Sequence, residues 1–586
     1  MRFLRMLSNS LIAGALASAY LTILVLHLNP AFPLTVGAVA PLALVMAVAY
    51  GITIAVVFYG LIVIRQMAAS DVLSPGWLSV RVLSWLCTIA AGVVAVIMWL
   101  NLGTYRTVLD PEVAGHLTAA ALTLSGSAVV FLLVAFAHLD RRGGSVSAVL
   151  LTAMMAISIV ALLTTRGWNA ASRTVARQAP PLIGTGSARP DARVVVIALD
   201  GATLDVISPA VAEGRLPNFG RILDGGAVLH LATLRPTQAE TVWTAAATGR
   251  TPGGSGIRAS ALYRVRQGGP ALELPPDYCF FQALVRIGLV TESPHDARSL
   301  KARPLWSIVS DVGVPVGVVG FPLTYPAPAV NGFLISDEFH RLSDADLDRD
   351  GAAAVSPPAI LPDVRLALRE TASPDPLVLV SKMDEAPQGD ADARPDPAPI
   401  LADRMHLQLR RALEARTMPR LVAVRLPGLD AVGHYYLRYA NPSAFGDVSD
   451  AERDRYGRVL NEYYGFIDTV VGHELEALGP DDLLMVISGF GMEPLSPGKR
   501  LLERLIGNAR LSGTHERGPD GFLLAYGPAV APGRPTRASV LDITPTLLYY
   551  LGLPVARDMD GFARTDLFRA TFTASRPITF IPSYGR

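Results

Sequence analysis

The sequence is poor in cysteine and in charge. Of its 586 residues, two are cysteines and 17% are charged, and the net charge is +1. Cys87 lies within a long apolar run and Cys279 in the less apolar remainder, so disulfides cannot cross-link that remainder to itself. A net charge close to zero gives no electrostatic basis for binding a nucleic-acid polymer, and we expect none.

Apolar residues are concentrated in the first third of the chain. Hydrophobic residues make up 51% of the sequence, and apolar runs lie at about 7–28, 36–64, 82–102, 117–139 and 146–165. A bilayer-spanning helix needs about 20 residues, which each run provides. Pro41 lies in the second run and predicts a kink, a tilt or a short interfacial turn there. We therefore predict a transmembrane region of about five helices over residues 1–166.

Positive charges in the short loops predict the orientation of these spans. Arg2 and Arg5 precede the first run, Arg65 follows the second, and Arg141 and Arg142 follow the fourth. Cytoplasmic loops carry an excess of such residues, so the N-terminus is predicted to be cytoplasmic. Five spans then place the C-terminal domain outside the cytoplasm. We expect a multi-pass protein of a bacterial-type inner membrane or plasma membrane, with the lipid bilayer as a partner.

A second domain is predicted after a linker. Residues 167–191 are rich in Ala, Arg, Pro and Gly, and from residue 192 short apolar runs alternate with helical patterns up to residue 586. Buried strands separated by helices indicate an α/β fold with a mainly parallel sheet, whose ligands bind at the carboxyl ends of the strands. The pattern breaks at about 340–402, where Asp, Pro and Ala are frequent, and this segment is predicted to be an insertion.

Four residues have the chemistry of a metal site. Asp200 directly follows an apolar strand-like run, Asp430 and His434 are four residues apart, and His515 stands in a separate segment. Residues four apart share one face of a helical turn, so Asp430 and His434 can point at one position. Carboxylate and imidazole groups together favour zinc or manganese.

Several segments in order resemble the type I phosphodiesterase/nucleotide pyrophosphatase family of the alkaline phosphatase superfamily. The resemblance covers about 192–568 and rests on VVVIALDGATLD, TGRTPGGSGI, LWSIVSDVGVPVGVVGFPLTYPAPAVNGF, DAVGH, GTHERGPDGFLLAYGP and SVLDITPTLLYYLGLPVARDMDG. It implies an α/β alkaline-phosphatase-like domain. It also implies two metal ions about 4 Å apart that act together on a phosphoester.

The resemblance implies one complete metal site and one degenerate site. Asp430, His434 and His515 match the ligands of one ion. Asp200 matches the first ligand of the other, but the family's Ser-Asp-His-Gly stretch is Ser-Gly-Phe-Gly here, with Gly489 and Phe490 at the ligand positions. Neither side chain can bind a cation. We therefore predict one metal site rather than two.

The nucleophile of the family is also replaced. Trp243 and the Thr248-Gly249 pair fix the register, which puts Ala239 at the family's nucleophile position. A methyl group cannot attack phosphorus. Thr241 is the remaining candidate catalytic residue, and its alternative role is to cap the first turn of a helix, together with Thr237 and Glu240.

Three functions follow from this pattern. The resemblance favours a membrane-anchored, metal-dependent hydrolase of phosphoesters outside the cytoplasm, with a degenerate second metal site. The replaced residues favour a catalytically inactive relative that binds a phosphorylated ligand, an envelope component or another membrane protein. The arrangement of spans before the domain is similar to that of phosphoethanolamine transferases and lipoteichoic acid synthases, which suggests a phospholipid head-group phosphotransferase as a further alternative. Whether the protein is an enzyme stays open at this point.

Overall fold

The computed structural model describes residues 2–68, 75–138, 145–166, 192–266, 268–369, 398–506 and 510–585. Two compact units make up the chain. The first comprises Met1–Ala176 and Ala261–Pro294, and the second comprises Arg177–Ser260 and His295–Arg586. The predicted linker at 167–191 and the loop with Arg141 and Arg142 lie outside the described residues.

Five apolar helices form the membrane-embedded part of the first unit, as predicted. The second span consists of two α-helices joined by a π-helical turn at Ala47–Gly51, and Pro41 lies inside the first of them. At this turn the chain approaches the first span closely, because a Cβ at Gly14 would lie 2.4 Å from the carbonyl oxygen of Gly51. The five spans consist of six α-helices, because α2 and α3 together form the second span. These helices are α1 (Arg2–Leu28), α2 (Val36–Met46), α3 (Ile52–Ala68), α4 (Val80–Thr104), α5 (Pro111–Ala137) and α6 (Ser145–Arg166).

A segment of the predicted C-terminal domain folds with these helices. It contains the antiparallel strands β3 (Ala261–Val265) and β4 (Val290–Pro294), and the short helix α11 (Phe281–Arg286). The buried side chain of Asn29, after α1, donates to the carbonyl of Leu274 and accepts from its N–H, at 2.8 and 2.9 Å. Asn101 in α4 bonds both backbone groups of Asp277 in the same way. The contiguous domain predicted from residue 192 is thus interrupted by residues 261–294.

The second unit is built on a nine-stranded, mainly parallel sheet with helices on both faces. Its strand order is β13-β2-β12-β9-β1-β8-β5-β6-β7, in which β12 and β7 pair antiparallel with their neighbours. The strands of this sheet are β1 (Val194–Leu199), β2 (Ala227–Ala232), β5 (Val316–Val319), β6 (Gly332–Ile335), β7 (Val355–Ser356), β8 (Leu421–Leu426), β9 (Leu483–Phe490), β12 (Asp520–Tyr526) and β13 (Ala538–Ser539). Two small strand pairs join β10 (Glu493–Pro494) to β11 (Gly513–Thr514) and β14 (Val555–Ala556) to β15 (Phe580–Ile581).

Alternate residues of the central strand face two separate cores. Val194 and Val196 of β1 join one apolar cluster, and Val195 and Ile197 join the other, because successive side chains of a strand point to opposite faces. The helices of this unit are α7 (Leu204–Ala212), α8 (Pro217–Gly225), α9 (Ala239–Thr248), α10 (Pro252–Ser255), α12 (Leu305–Asp311), α13 (Asp344–Asp350), α14 (Leu361–Arg369), α15 (Ala398–Thr417), α16 (Gly428–Ala440), α17 (Asp450–Tyr456), α18 (Val459–Glu476), α19 (Pro497–Ile506), α20 (Ile543–Tyr550) and α21 (Ala570–Ala574).

The segment predicted as an insertion is ordered into short elements where the structure describes it. Between residues 340 and 369 lie α13, α14 and the edge strand β7, and α15 begins at Ala398. Residues 370–397 of the predicted insertion lie outside the described part. Between β1 and β2 the chain forms two helices rather than one continuous helix, because it turns at Gly214 with a φ of 75° and Pro217 begins α8.

Candidate metal centre

The carboxyl ends of β9, β1 and β8 form the floor of the candidate site. These three strands are neighbours in the sheet, and Asp200 directly follows β1. Asp430 and His434 stand on the first two turns of α16, which begins two residues after β8. His515 follows β11. This edge of the sheet is where an α/β fold places its ligands.

Asp430, His434 and His515 meet at one point. One ligand atom from each residue can be chosen so that all three atoms lie within 4.8 Å of one another. His434 Nε2 lies 3.3 Å from one carboxylate oxygen of Asp430, and His515 Nε2 lies 3.9 Å from the other. Among the described residues, this is the one group of three metal-ligating side chains with such spacing.

Backbone carbonyls fix the orientation of both imidazoles. His434 Nδ1 lies 2.9 Å from the carbonyl oxygen of Gly513, and His515 Nδ1 lies 3.0 Å from that of Thr237. A proton on each Nδ1 satisfies these carbonyls and leaves each Nε2, on the side of Asp430, to bind either a proton or a cation. Metal-ligating histidines in proteins are held by the same kind of bond on their second nitrogen.

Asp430 and His434 shift the pKa of each other. Burial raises the pKa of Asp430, but the hydrogen bond from His434 and the nearby positive groups outweigh it, so the pKa lies below its ordinary value. Burial lowers the pKa of His434, but the bond to Asp430 and its charge outweigh that effect, so the pKa lies above its ordinary value. A cation competes with the His434 proton for this position, so metal binding weakens as the pH falls.

Asp200 is bonded to a different partner. Arg425, the fifth residue of β8, donates to its carboxylate from Nε at 3.1 Å and from Nη2 at 2.5 Å. Trp243 of α9 donates to the other carboxylate oxygen from Nε1 at 2.6 Å. The structure therefore groups Asp200 with Arg425 and Trp243, and not with the three residues that meet at Asp430.

The two groups are adjacent through Gly201. This residue follows Asp200 and has a φ of 74°, a conformation that glycine adopts without strain. A Cβ at Gly201 would lie 3.0 Å from Oδ1 of Asp430. The residue that follows Asp200 therefore lies against the carboxylate of the ligand cluster. The two groups are therefore the two halves of one site.

A cleft of about 580 Å³ adjoins the cluster. Gly201, Gly433 and Met492 form part of its wall, next in sequence or in space to the ligand residues. The cleft contains both signs of charge, with more positive groups than negative ones. Its charged lining consists of Arg215, Arg235, Arg517, Asp205 and Glu493.

A sequence model of the type I phosphodiesterase/nucleotide pyrophosphatase family matches residues 194–541, more than half of the chain. The chain belongs to this family. Curated protein sequences give no match. Murine ectonucleotide pyrophosphatase/phosphodiesterase 5, an inactive variant in complex with AMP, is 13% identical over 65% of this chain and 100% of that chain, with a TM-score of 0.37. A mutant of the alkaline phosphatase PafA is 14% identical over 65% of this chain and 99% of that chain, with a TM-score of 0.38.

Membership of the phosphodiesterase family confirms the predicted relationship, and with the nine-stranded sheet it confirms the alkaline-phosphatase-like α/β fold class. The chain is accordingly a phosphoester-hydrolase-like protein with a membrane-embedded N-terminal region. The family is metal-dependent, and the resemblance implies two metal ions. The residues around Asp430 and around Asp200 can therefore each be tested for their fit to one ion.

The residues around Asp430 fit a metal ion. Its buried Oδ1 has no hydrogen-bond donor among the described residues, which leaves a lone pair for a cation. Together with two oriented imidazoles it provides a mixed nitrogen and oxygen donor set with three protein ligands. A divalent cation bound there would polarise a phosphoryl oxygen and lower the pKa of a bound water toward 7.

The residues around Asp200 do not fit a second ion. Both of its carboxylate oxygens already accept hydrogen bonds from Arg425 and Trp243. The space beside Gly489 is filled, since a Cβ there would lie 2.5 Å from a methyl group of Val242. Phe490 is 1% exposed, and its ring centroid lies 4.9 Å from that of His515. An arginine and apolar groups occupy the place that a second cation would need.

The first turn of α9 supplies no exposed nucleophile. Ala239, at the family's nucleophile position, is the first residue of the helix. The hydroxyl of Thr241 is buried and has no hydrogen-bond partner among the described residues, and the residue is 1% exposed. Burial of this kind does not favour attack on a substrate, and the catalytic role of Thr241 stays a prediction.

Arg425 is the residue that sequence reasoning missed. A signal for it exists in the sequence, because LVAVRL is otherwise an apolar strand and a charge within a buried strand requires a partner. That partner is 225 residues away in sequence and could be assigned only once β1 and β8 were known to be neighbours.

Proposed function

We propose that this protein binds a phosphorylated ligand outside the cytoplasm through one divalent cation, held by Asp430, His434 and His515. We further propose that it does not hydrolyse phosphoesters by the two-metal route with a covalent nucleophile. The observation that carries the proposal is the contrast within one site: three ligand atoms within 4.8 Å of one another beside an Asp200 that is bonded to arginine.

The donor set supports zinc or manganese as the cation. Two imidazole nitrogens and one carboxylate suit zinc, and the same groups also bind manganese. Family membership supports a phosphoester as the ligand class. The arginine-containing cleft beside the cluster supports an anionic ligand, since a guanidinium group binds phosphate oxygens bidentately.

Loss of the nucleophile argues equally against hydrolysis through a covalent intermediate and against transfer of a phospholipid head group. Both reactions need a hydroxyl at the position of Ala239. One enzymatic route is left, in which a water on the single cation attacks a phosphoester directly. The three-ligand centre favours this route as a second candidate, since it keeps a coordination position for water.

The extracytoplasmic placement rests on the spans. Asn29 follows α1, Asn101 lies near the end of α4, and both bond to residues 273–277, within the family-matched part of the chain. These bonds support a position of residues 273–277 on the side of the bilayer that the chain reaches after its first span. With the N-terminus in the cytoplasm, as the arginines predict, that side is extracytoplasmic. A membrane-protein or envelope partner stays a prediction from the sequence.

The test is made on the full chain in detergent micelles, because residues 261–294 fold with the membrane helices. Bound zinc and manganese are measured by mass spectrometry after dialysis, and hydrolysis of bis(p-nitrophenyl) phosphate is followed before and after chelation. We expect one cation per chain and no turnover. Two cations with chelator-sensitive turnover would contradict the proposal, and one cation with chelator-sensitive turnover would support the single-metal hydrolase instead.

A further inference from the structure

Arg425 is a cation held inside an apolar strand. Its neighbours Val424 and Leu426 are fully buried, whereas its own side chain is 14% exposed. On the same face of the sheet, its guanidinium meets the carboxylate at the end of the adjacent strand. Burial of a charge is costly unless a group of opposite charge pairs with it, and Asp200 is that group.

The bonds of Arg425 leave one end of its guanidinium unused. Nε and Nη2 donate to Asp200, and His406 Nδ1 lies 2.8 Å from the backbone carbonyl of Arg425, which helps to fix this part of the strand. Nη1 makes no hydrogen bond to the described part of the chain. The side chain of Arg425 is 14% exposed, so it is not fully closed off from a ligand.

Arg425 is the positive partner of Asp200 in this protein. The resemblance assigns Asp200 to a second metal ion, and here Asp200 accepts from a guanidinium instead. Arg425 carries the charge that this carboxylate needs and cannot lose it, because an arginine stays protonated at physiological pH. Glu240 and Asp337 are the other acidic groups that face it. Asp337 already accepts from the backbone N–H groups of Leu323 and Thr324.

We propose that Arg425 replaces the second metal ion, and that its free Nη1 binds an oxygen of the phosphoryl group held at the neighbouring centre of Asp430, His434 and His515. A metal ion then provides the positive charge in one half of the site, and the guanidinium of Arg425 provides it in the other half. This inference rests on the proposed function for the cation, but the contact between Arg425 and phosphate is a separate claim about this side chain. Guanidinium groups bind phosphate through charge-assisted hydrogen bonds.

Orthophosphate binding to the full chain in detergent tests the proposal, measured by calorimetry with zinc and again with EDTA. The double variant Asp200→Asn/Arg425→Gln removes both charges of the pair together, so neither partner is left charged without the other. We expect orthophosphate to bind at least about tenfold more weakly to it, with zinc still at one ion per chain. The control is Arg410→Gln/Glu414→Gln, which removes a pair with a 2.7 Å bond from a cluster that keeps Arg193 and Glu474 as an ion pair, and its orthophosphate affinity should be unchanged.

Arg425→Lys provides a variant that is expected to fold normally. Lysine keeps the ion pair with Asp200 but is a point charge without the forked donors, so it cannot serve the carboxylate and a phosphoryl oxygen together. We expect weaker orthophosphate binding with unchanged thermal stability. Orthophosphate affinity equal to wild type in both Arg425 variants would overturn the proposal and leave Arg425 a structural residue.

The EDTA measurement separates this proposal from the proposed function. If the wild-type chain binds no zinc but still loses orthophosphate affinity in the Arg425 variants, the metal centre is refuted and the arginine contact stands. If zinc binds and only His434→Ala weakens orthophosphate binding, the arginine contact is refuted and the metal centre stands.

Discussion

The two halves of the site provide positive charge in opposite ways. Around Asp430, one carboxylate oxygen has no donor among the described residues, and the carbonyls of Gly513 and Thr237 fix the orientation of the two imidazoles. Around Asp200, both carboxylate oxygens are saturated by N–H donors from Arg425 and Trp243. The first half is built to take up a cation from solution, and the second half already contains one as a side chain.

The difference shows why loss of a metal site involves several residues at once. Removing a metal ion leaves its carboxylate buried and unpaired, which is costly unless another cation takes its place. Arg425 supplies that cation, and Val242 and Phe490 fill the space beside it. The half around Asp200 therefore contributes to folding stability, whereas the half around Asp430 retains unsatisfied groups that suit a ligand.

The largest expected effect comes from breaking the ion pair on one side. Asp200→Ala leaves Arg425 buried without its carboxylate, which should lower the free energy of unfolding by about 3–5 kcal/mol. Pulse proteolysis of the full chain in increasing urea measures this change. Asp450→Ala is the control, because Asp450 is 89% exposed and pairs with Arg453 on the surface, where such a pair contributes about 0–1 kcal/mol. Equal stability of the two variants would contradict the structural role of the Asp200 pair.

The complementary change breaks the half around Asp430. His434→Ala deletes one of three ligands. Loss of a residue that only hydrogen-bonds to a metal ligand weakens metal binding about 10- to 100-fold, and we expect a larger loss of zinc affinity here. The free energy of unfolding without zinc should change little by comparison with Asp200→Ala. His473→Ala is the control, since His473 is an exposed histidine on α18 that bonds Arg411. Zinc binding that survives His434→Ala would place the cation elsewhere.

Much of this comparison could be predicted from the sequence. The apolar runs identified the five spans, the strands that precede Asp200 and Asp430 and the strand that contains Gly489, because buried strands and spans have continuous apolar character. The four-residue spacing of Asp430 and His434 predicted a shared helical face, which α16 provides. Family motifs identified the positions of Ala239 and Phe490 as departures from the pattern.

The parts that could not be predicted depend on long-range neighbours. Arg425 has no local sign of its partner, because the pairing follows from the order β9-β1-β8 in the sheet. Residues 261–294 have no apolar run long enough to indicate a membrane region, and their association with the helices includes hydrogen bonds that the side chains of Asn29 and Asn101 accept from backbone N–H groups. Both features join residues more than 170 positions apart, beyond the reach of periodicity or local spacing.

A smaller effect is expected from pH. Burial lowers the pKa of His406 to about 3, and its Nδ1 bonds the carbonyl of Arg425. The unfolded chain gains a proton at this residue as the pH falls below about 6.5, whereas the folded chain stays neutral there. Stability is therefore complete above that pH and is lost below it, by up to about 1.4 kcal/mol per pH unit. His406→Asn, whose amide can donate in place of Nδ1, should flatten the dependence of the melting temperature on pH between 6 and 4. An unchanged slope would show that other groups cause the acid sensitivity.

The smallest effect is expected at Thr241, and its sign distinguishes a structural residue from a catalytic one. Its hydroxyl is buried without a partner among the described residues, so replacement by the similarly shaped Val removes an unsatisfied polar group. We expect Thr241→Val to raise the free energy of unfolding by about 1 kcal/mol and to leave zinc and orthophosphate binding unchanged. A hydroxyl that approaches a bound phosphoryl group would instead make the variant bind orthophosphate more weakly. That result would return Thr241 to the site as a functional residue, and would show that the half around Asp200 retains a group for the ligand besides Arg425.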